Sequence, residues 1–205
     1  MAAFFSNFKN ALLFLPKCCR QFSNSGTLML LSYSNLGMDH YLRQRIFKTD
    51  DLGPNGKEML LNRLGKTKTV TESSLVALDL NDLIHVAESK LELYEVERLV
   101  CLISGSSVTA VSSLRFGASL MRLYHHLNCP KQAYNIYKYD VCRDILGDNT
   151  CHKILMDLLY KNQQYHLVLE VFETLRHFNI DCSTLAFGAY YHILNSFHPS
   201  FVSHK

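Results

Sequence analysis

Between residues 150 and 180 apolar side chains recur at steps of three and four. They run Ile154, Leu155, Leu158, Leu159, then Val168, Leu169, Val171, Phe172 and Leu175. A polar break, Lys161-Asn162-Gln163-Gln164, divides the stretch. This spacing predicts two short amphipathic helices joined by a tight turn. A hairpin of that size cannot bury both apolar faces by itself, so it requires neighbours of the same kind.

The rest of the chain supplies them. Shifted against itself by 35 positions, the sequence places Leu120 on Leu155, Met121 on Met156, Leu123 on Leu158, Tyr137 on Phe172 and Ile145 on Ile180. One period earlier, Val86 falls on Met121 and Leu102 on Tyr137; one period later, Leu159 falls on Leu194. No gap is needed, whereas a period of 34 would require an insertion in each unit. A fixed period in this range predicts an all-α fold, a short α-solenoid of helical hairpins. The second helix of one unit is expected over Lys131–Val141, with Asn128 as cap, Pro130 in the first turn, and Ala133, Ile136, Tyr137 and Val141 on one stripe. Gly147-Asp148 is expected to turn the chain into the next unit.

Residues 1–29 differ in kind. They hold Lys9, Lys17 and Arg20 and no acid, the first acid being Asp39. A basic, acid-free, serine-containing stretch able to form an amphipathic helix reads as a mitochondrial transit peptide. The apolar run Ala11–Leu15 is short for a secretory signal, and Pro16-Lys17-Cys18-Cys19-Arg20 follows it in place of a small-residue cleavage site. "RQFSNS" at 20–25 resembles a two-step matrix-processing signal, which implies Phe22 and then Leu30 as new N-termini. The whole chain has 21 basic and 18 acidic residues. Its excess of three equals the three basic residues of the leader, so the mature chain is formally neutral.

Seven cysteines, none in C-x-x-C spacing, argue for reduced and mostly buried thiols without a disulfide framework or zinc site. Cys151-His152 does not make a nucleophile–base pair, because adjacent helical residues do not face each other. "LGKT" at 64–67 lacks the glycine that a phosphate loop needs at 60, where Leu60 stands. His85 and His152 read as ordinary helix residues among apolar neighbours. No catalytic constellation stands out, and the chain is expected to be neither an enzyme nor a holder of any cofactor or metal. No apolar run is long enough to span a membrane.

Residues 150–184, "TCHKILMDLLYKNQQYHLVLEVFETLRHFNIDCST", resemble a pentatricopeptide repeat. Leu155-Met156 stand at its Leu-Ile step, and Phe172 and Ile180 match. His152 replaces its tyrosine and Val168 its small alanine. The preceding unit, 115–149, has Leu120-Met121, Ala133 at the small position, Tyr137, Ile145 and Asp148 at the closing acid. The resemblance further implies a degenerate unit at 80–114, with Arg98 at the small position, and a partial unit at 185–196. Residues 30–79 are left as an N-terminal helical segment and linker, and 197–205 as a disordered tail. The partial unit breaks off after its first helix, as in a shortened isoform or an incomplete gene model.

The family implies a partner: single-stranded mitochondrial RNA, read about one base per repeat. Its base-reading positions fall here on Leu83 with Ser113, Ala118 with Asp148, and Lys153 with Ser183. Ala118 offers no hydrogen-bonding group, so readout in that repeat rests on Asp148. First-helix positions expected to face inward carry Arg115, Arg122, His126, Lys153 and Lys161, a stripe able to pair with phosphates. Glu88 and Asp157 dilute it, and the tyrosines at 124, 134, 137 and 139 suit packing better than base stacking. The function so implied is RNA binding in the mitochondrial matrix, in mRNA processing and maturation and so in respiratory chain function. The alternative is a protein-interaction component or accessory of the small mitochondrial ribosomal subunit, or contact with other RNA-processing proteins.

Overall fold

The computed structural model describes residues 34–66, 73–104, 116–139, 142–146 and 148–175. The leader, the partial unit at 185–196, the tail, Gly147, Val141, Ser113, Arg115 and Ser183 lie outside the described residues. Every regular element among the described residues is a helix. In chain order, α1 (Met38–Leu52) pairs with α2 (Gly56–Gly65), α3 (Ser73–Val86) with α4 (Lys90–Ser104), and α5 (Gly117–His126) with α6 (Pro130–Lys138). A single turn, α7 (Arg143–Leu146), then leads to α8 (Asn149–Lys161) and α9 (Tyr165–Leu175).

The first helices of successive pairs pack in a row: α1 against α3, α3 against α5, α5 against α8. The second helices form the other layer, with α2 on α3, α6 on α5 and α8, and α9 on α8. This is the all-α stack of hairpins expected from the apolar periodicity. The helix α8 shows why stacking is required. Cys151, Ile154, Leu155, Met156, Leu158 and Leu159 are all buried, more than one stripe can hold, because α5, α6 and α9 cover different sides. Each fully buried leucine or isoleucine contributes about 1.5–3 kcal/mol relative to exposure.

The turns inside the last two pairs are built alike. Asn128, expected as a side-chain cap, instead takes φ 51°, and Gln163, 35 positions on, takes φ 58°. Cys129 holds the N-cap position of α6 and makes no side-chain capping bond, while Pro130 opens the helix as expected. A left-handed residue reverses the chain in little space, and asparagine tolerates that conformation better than most. Asn162 joins the two turns, its Nδ2 donating to Asn128 Oδ1 at 2.8 Å and to Leu158 O at 2.9 Å.

The second pair is spaced differently. Its turn lies at 87–89, so the step from Ala87 to Leu127 is 40 positions. A strict 35-residue step back from the turn at 127–129 would fall at 92–94. The turn sits where it does because Ser89 and Glu92 form a capping box. Glu92 accepts from the Ser89 N–H at 3.0 Å and the Glu88 N–H at 2.7 Å, and the Glu92 N–H donates to Ser89 Oγ at 3.2 Å. Burial opposes ionisation of Glu92, but these bonds and Lys57 prevail and hold its carboxyl below the usual range.

Residues 38–65, read from the sequence as a helical segment and linker, form a further hairpin bound closely to the second pair. Lys48 pairs with Asp82 at 2.8 Å and Arg63 with Asp79 at 2.6 Å. Arg98 Nη2 donates to Leu64 O at 3.1 Å, a carbonyl at the end of α2 that also accepts the Lys66 N–H. Arg98 stands where the repeat motif carries a small residue, and this long reach is what it does there.

Candidate nucleic-acid interface

The row of first helices is the surface on which the sequence places its candidate contacts. Four of those side chains sit at two ends of the α5–α8 contact. At the N-terminal end, Ala118 is half-buried against the core in the first turn of α5. Asp148 holds the N-cap position of α8 in extended conformation, its side chain exposed and its carbonyl accepting the His152 N–H at 3.3 Å. Arg122 lies one turn further along α5. The sequence and structure therefore bring Ala118, Arg122 and Asp148 into one neighbourhood, where the Asp148 charge acts on Arg122.

Arg122 is committed to the fold. It is half-buried, and its Nε donates to Leu36 O at 2.8 Å. Its guanidinium lies against Gly37, where an added Cβ would meet Nη2 at 2.7 Å. Gly37 also has φ 66°, so both conformation and space call for glycine there. Burial lowers the proton affinity of Arg122, partly offset by Cys151, Asp148 and Tyr41. Arg122 thus ties α5 to the turn that opens α1.

At the other end, Lys161 Nζ pairs with Asp157 Oδ2 at 2.7 Å, and His125 Nε2 bonds the same oxygen at 2.8 Å. Asp157 is fully buried. Read from the sequence as a charge that dilutes a basic stripe, it is instead an interior acceptor that draws Lys161 inward. Its signals are the i, i+4 spacing to Lys161 and the His125 side chain across the helix contact. Lys153 is half-buried on α8 and forms no ion pair with a described residue. Leu83, at a base-reading position, is wholly buried in the core.

The chemistry of the other side chains is quiet. Burial pushes the Cys151 thiol up to about 12, so it stays protonated and unreactive. Burial also lowers His152, whose ring meets Tyr137 edge-on at 5.5 Å. Tyr124 is buried and donates to Glu97 Oε1 at 2.9 Å. Tyr134 and Tyr137 pack against the core, while Tyr139 is exposed. Among the described residues no group of three His, Cys, Asp or Glu side chains is placed to hold a metal, and no helix is long and apolar enough to cross a membrane.

Comparison with known proteins gives two curated relatives. The chain is 27% identical over 140 residues to the pentatricopeptide repeat-containing protein 2, mitochondrial, of Pongo abelii, covering 66% of this chain and 36% of the relative. It is 25% identical over 145 residues to the protein of the same name of Xenopus laevis, covering 68% of this chain and 38% of the relative. The chain is a distant match to both. The similarity agrees with the repeat resemblance read from the sequence, and both relatives are named as mitochondrial proteins. The matched stretch spans little more than a third of either relative. No family model matches the chain. No solved structure matches it.

Proposed function

We propose that this chain is a pentatricopeptide-type protein of the mitochondrial matrix. It holds single-stranded mitochondrial RNA during mRNA processing and maturation, and so serves the respiratory chain. The observation that carries the reading is the unbroken row of first helices, α1, α3, α5 and α8, combined with similarity to two relatives named for this repeat. Such a row offers an extended surface for a strand. Lys153 is the cation on α8 best placed to meet a phosphate, with Ala118 and Asp148 at the base-reading positions of one unit. Arg115 and Ser183 complete the proposed contact set. Arg122 and Lys161 contribute charge from the positions in which Leu36 and Asp157 hold them. The protein acts by binding and has no catalytic role.

A second reading has its own support. Met59, Leu91 and Tyr94 are exposed on the second helices, a composition suited to a protein partner such as the small mitochondrial ribosomal subunit. One experiment separates the two: crosslinking in mitochondria, sequencing of the bound RNA, and sedimentation after RNA-only complexes are removed. Recovery of discrete transcripts away from ribosomal fractions supports the first reading. Co-sedimentation with the small subunit, without enriched transcripts, overturns it in favour of the second.

A further inference from the structure

Helix α1 carries two stripes on opposite sides. Met38, Tyr41 and Arg45 are buried on one of them. The Tyr41 hydroxyl donates to Ile84 O at 2.8 Å and Lys48 pairs with Asp82 at 2.8 Å, so this side faces α3. Arg43, Ile46, Phe47 and Asp50 form the other stripe, at the i, i+3, i+4, i+7 spacing of a single helix face. At about 100° per residue, that face points away from α3. All four side chains are exposed, Ile46 at 64% and Phe47 at 66%.

Single apolar residues on a surface are ordinary. Here two large ones stand side by side on one helix, and the stripe turned inward carries an arginine instead. The charges that flank the apolar pair indicate what it fits. Arg43 lies three residues before Ile46, and Asp50 lies three residues after Phe47. A second copy laid antiparallel, about a two-fold axis through the midpoint of the Ile46–Phe47 step, sets Ile46 against Phe47 twice and Arg43 against Asp50 twice. The stripe is therefore complementary to itself, in charge as well as in apolar contact. Helices packed at interaxial distances of about 8–10 Å bring such side chains together. A parallel copy in the same register would oppose Arg43 to Arg43 and Asp50 to Asp50, which is repulsive. Phenylalanine and arginine are also among the residue types enriched in protein interfaces.

We propose that this stripe on α1 is a self-association surface, at which two copies of the chain pair about a two-fold axis. One helix from each copy buries less than the roughly 1,200 Å² at which standard stable interfaces begin, so the dimer is a weak one, in the micromolar range. The proposal stands on α1 alone and does not rest on RNA binding.

The test is sedimentation velocity of the RNA-free full chain at low salt, across rising micromolar concentration. Wild type is expected to pass from monomer to dimer, and Phe47→Ala to stay monomeric over the same range. Two charge reversals test the geometry. In Arg43→Glu the new acid meets Asp50 of the other copy, and in Asp50→Arg the new base meets Arg43. Each alone is expected to weaken the dimer about tenfold, the effect of two exposed pairs turned from attraction to repulsion. Mixed in equal amounts, the two variants are expected to pair again, because both charge contacts are then opposite in sign. All these positions are exposed, so helix content by circular dichroism is expected to stay constant. A wild-type chain that stays monomeric overturns the proposal and leaves the stripe to another segment or another protein. A dimer that survives Phe47→Ala has its contact elsewhere and overturns it too. Single reversals that weaken the dimer, with no rescue in the mixture, overturn the two-fold pairing.

Discussion

Replacing Gly117 by alanine sets two effects against each other. Gly117 is the first residue of α5, and alanine is favoured over glycine in a helix interior by at most about 1 kcal/mol, less at a first position. Against this stands a backbone contact. A Cβ at 117 would lie 2.0 Å from Ile145 O, 3.0 Å from Ile145 C and 3.3 Å from Cys151 Sγ. The nearest obstacle is main chain of α7, so no side-chain rotation relieves it. Either α7 or α5 must move by about an ångström within a close-packed interior, and forced overpacking costs about 1–3 kcal/mol, occasionally more. The clash wins, and Gly117→Ala is expected to destabilise the fold by about 2 kcal/mol. Gly65→Ala is the control: it sits at the end of α2 with nothing within 4 Å of the added carbon. That variant is expected within about 0.5 kcal/mol of wild type, toward greater stability. Urea unfolding followed by helical circular dichroism measures both, with equal slopes against denaturant. A Gly117→Ala chain as stable as Gly65→Ala would refute the close approach of α7 to α5, and with it the packing that sets one unit on the next.

Two further outcomes follow from the buried polar groups. Removing one partner of a buried ion pair costs about 3–5 kcal/mol. The Lys161 side chain is 27% exposed and can regain water, so Asp157→Ala is expected at the lower end, about 3 kcal/mol by the same unfolding assay; a loss under about 1 kcal/mol contradicts its role as interior acceptor. His152 governs a pH effect. Burial lowers its folded pKa although the Asp148 carbonyl and charge raise it, so the unfolded chain takes up the proton first as pH falls. Its contribution is present above about pH 6.5, the unfolded value, and is lost as pH falls from there toward the depressed folded value. The melting midpoint is expected to fall between about pH 7.5 and 5.5, and His152→Phe, which keeps a ring beside Tyr137, to fall less. An unchanged pH slope in the variant would count against this assignment.

The two hairpins from 117 to 175 were legible in the sequence because their buried positions are apolar and recur in register. The hairpin at 38–65 was not, for a definite reason. On α1 the hydropathy pattern and the burial pattern disagree: Ile46 and Phe47 are exposed at 64% and 66%, while Arg45, one turn on from Tyr41, is buried. An apolar-periodicity argument reads that helix the wrong way round. The spacing of the second pair was carried by Ser89-x-x-Glu92, a capping box that outweighs a uniform 35-residue step. For the candidate contacts, sequence position did not reveal the commitments of the side chains. The hold of Leu36 on Arg122 spans 86 positions, and that of Asp157 on Lys161 follows from a burial that composition does not reveal.

The central claim is that this row of first helices binds a single RNA strand. Fluorescence anisotropy of the full chain with a short unstructured RNA across a salt series tests it most directly. Saturable binding is expected, with log affinity falling linearly against log salt, and Lys153→Gln is expected to reduce the slope by about 0.7. Helix content should stay constant in that variant, because glutamine and lysine have similar helix propensity. Absence of saturable binding at low salt, or an affinity indifferent to salt, would contradict the account.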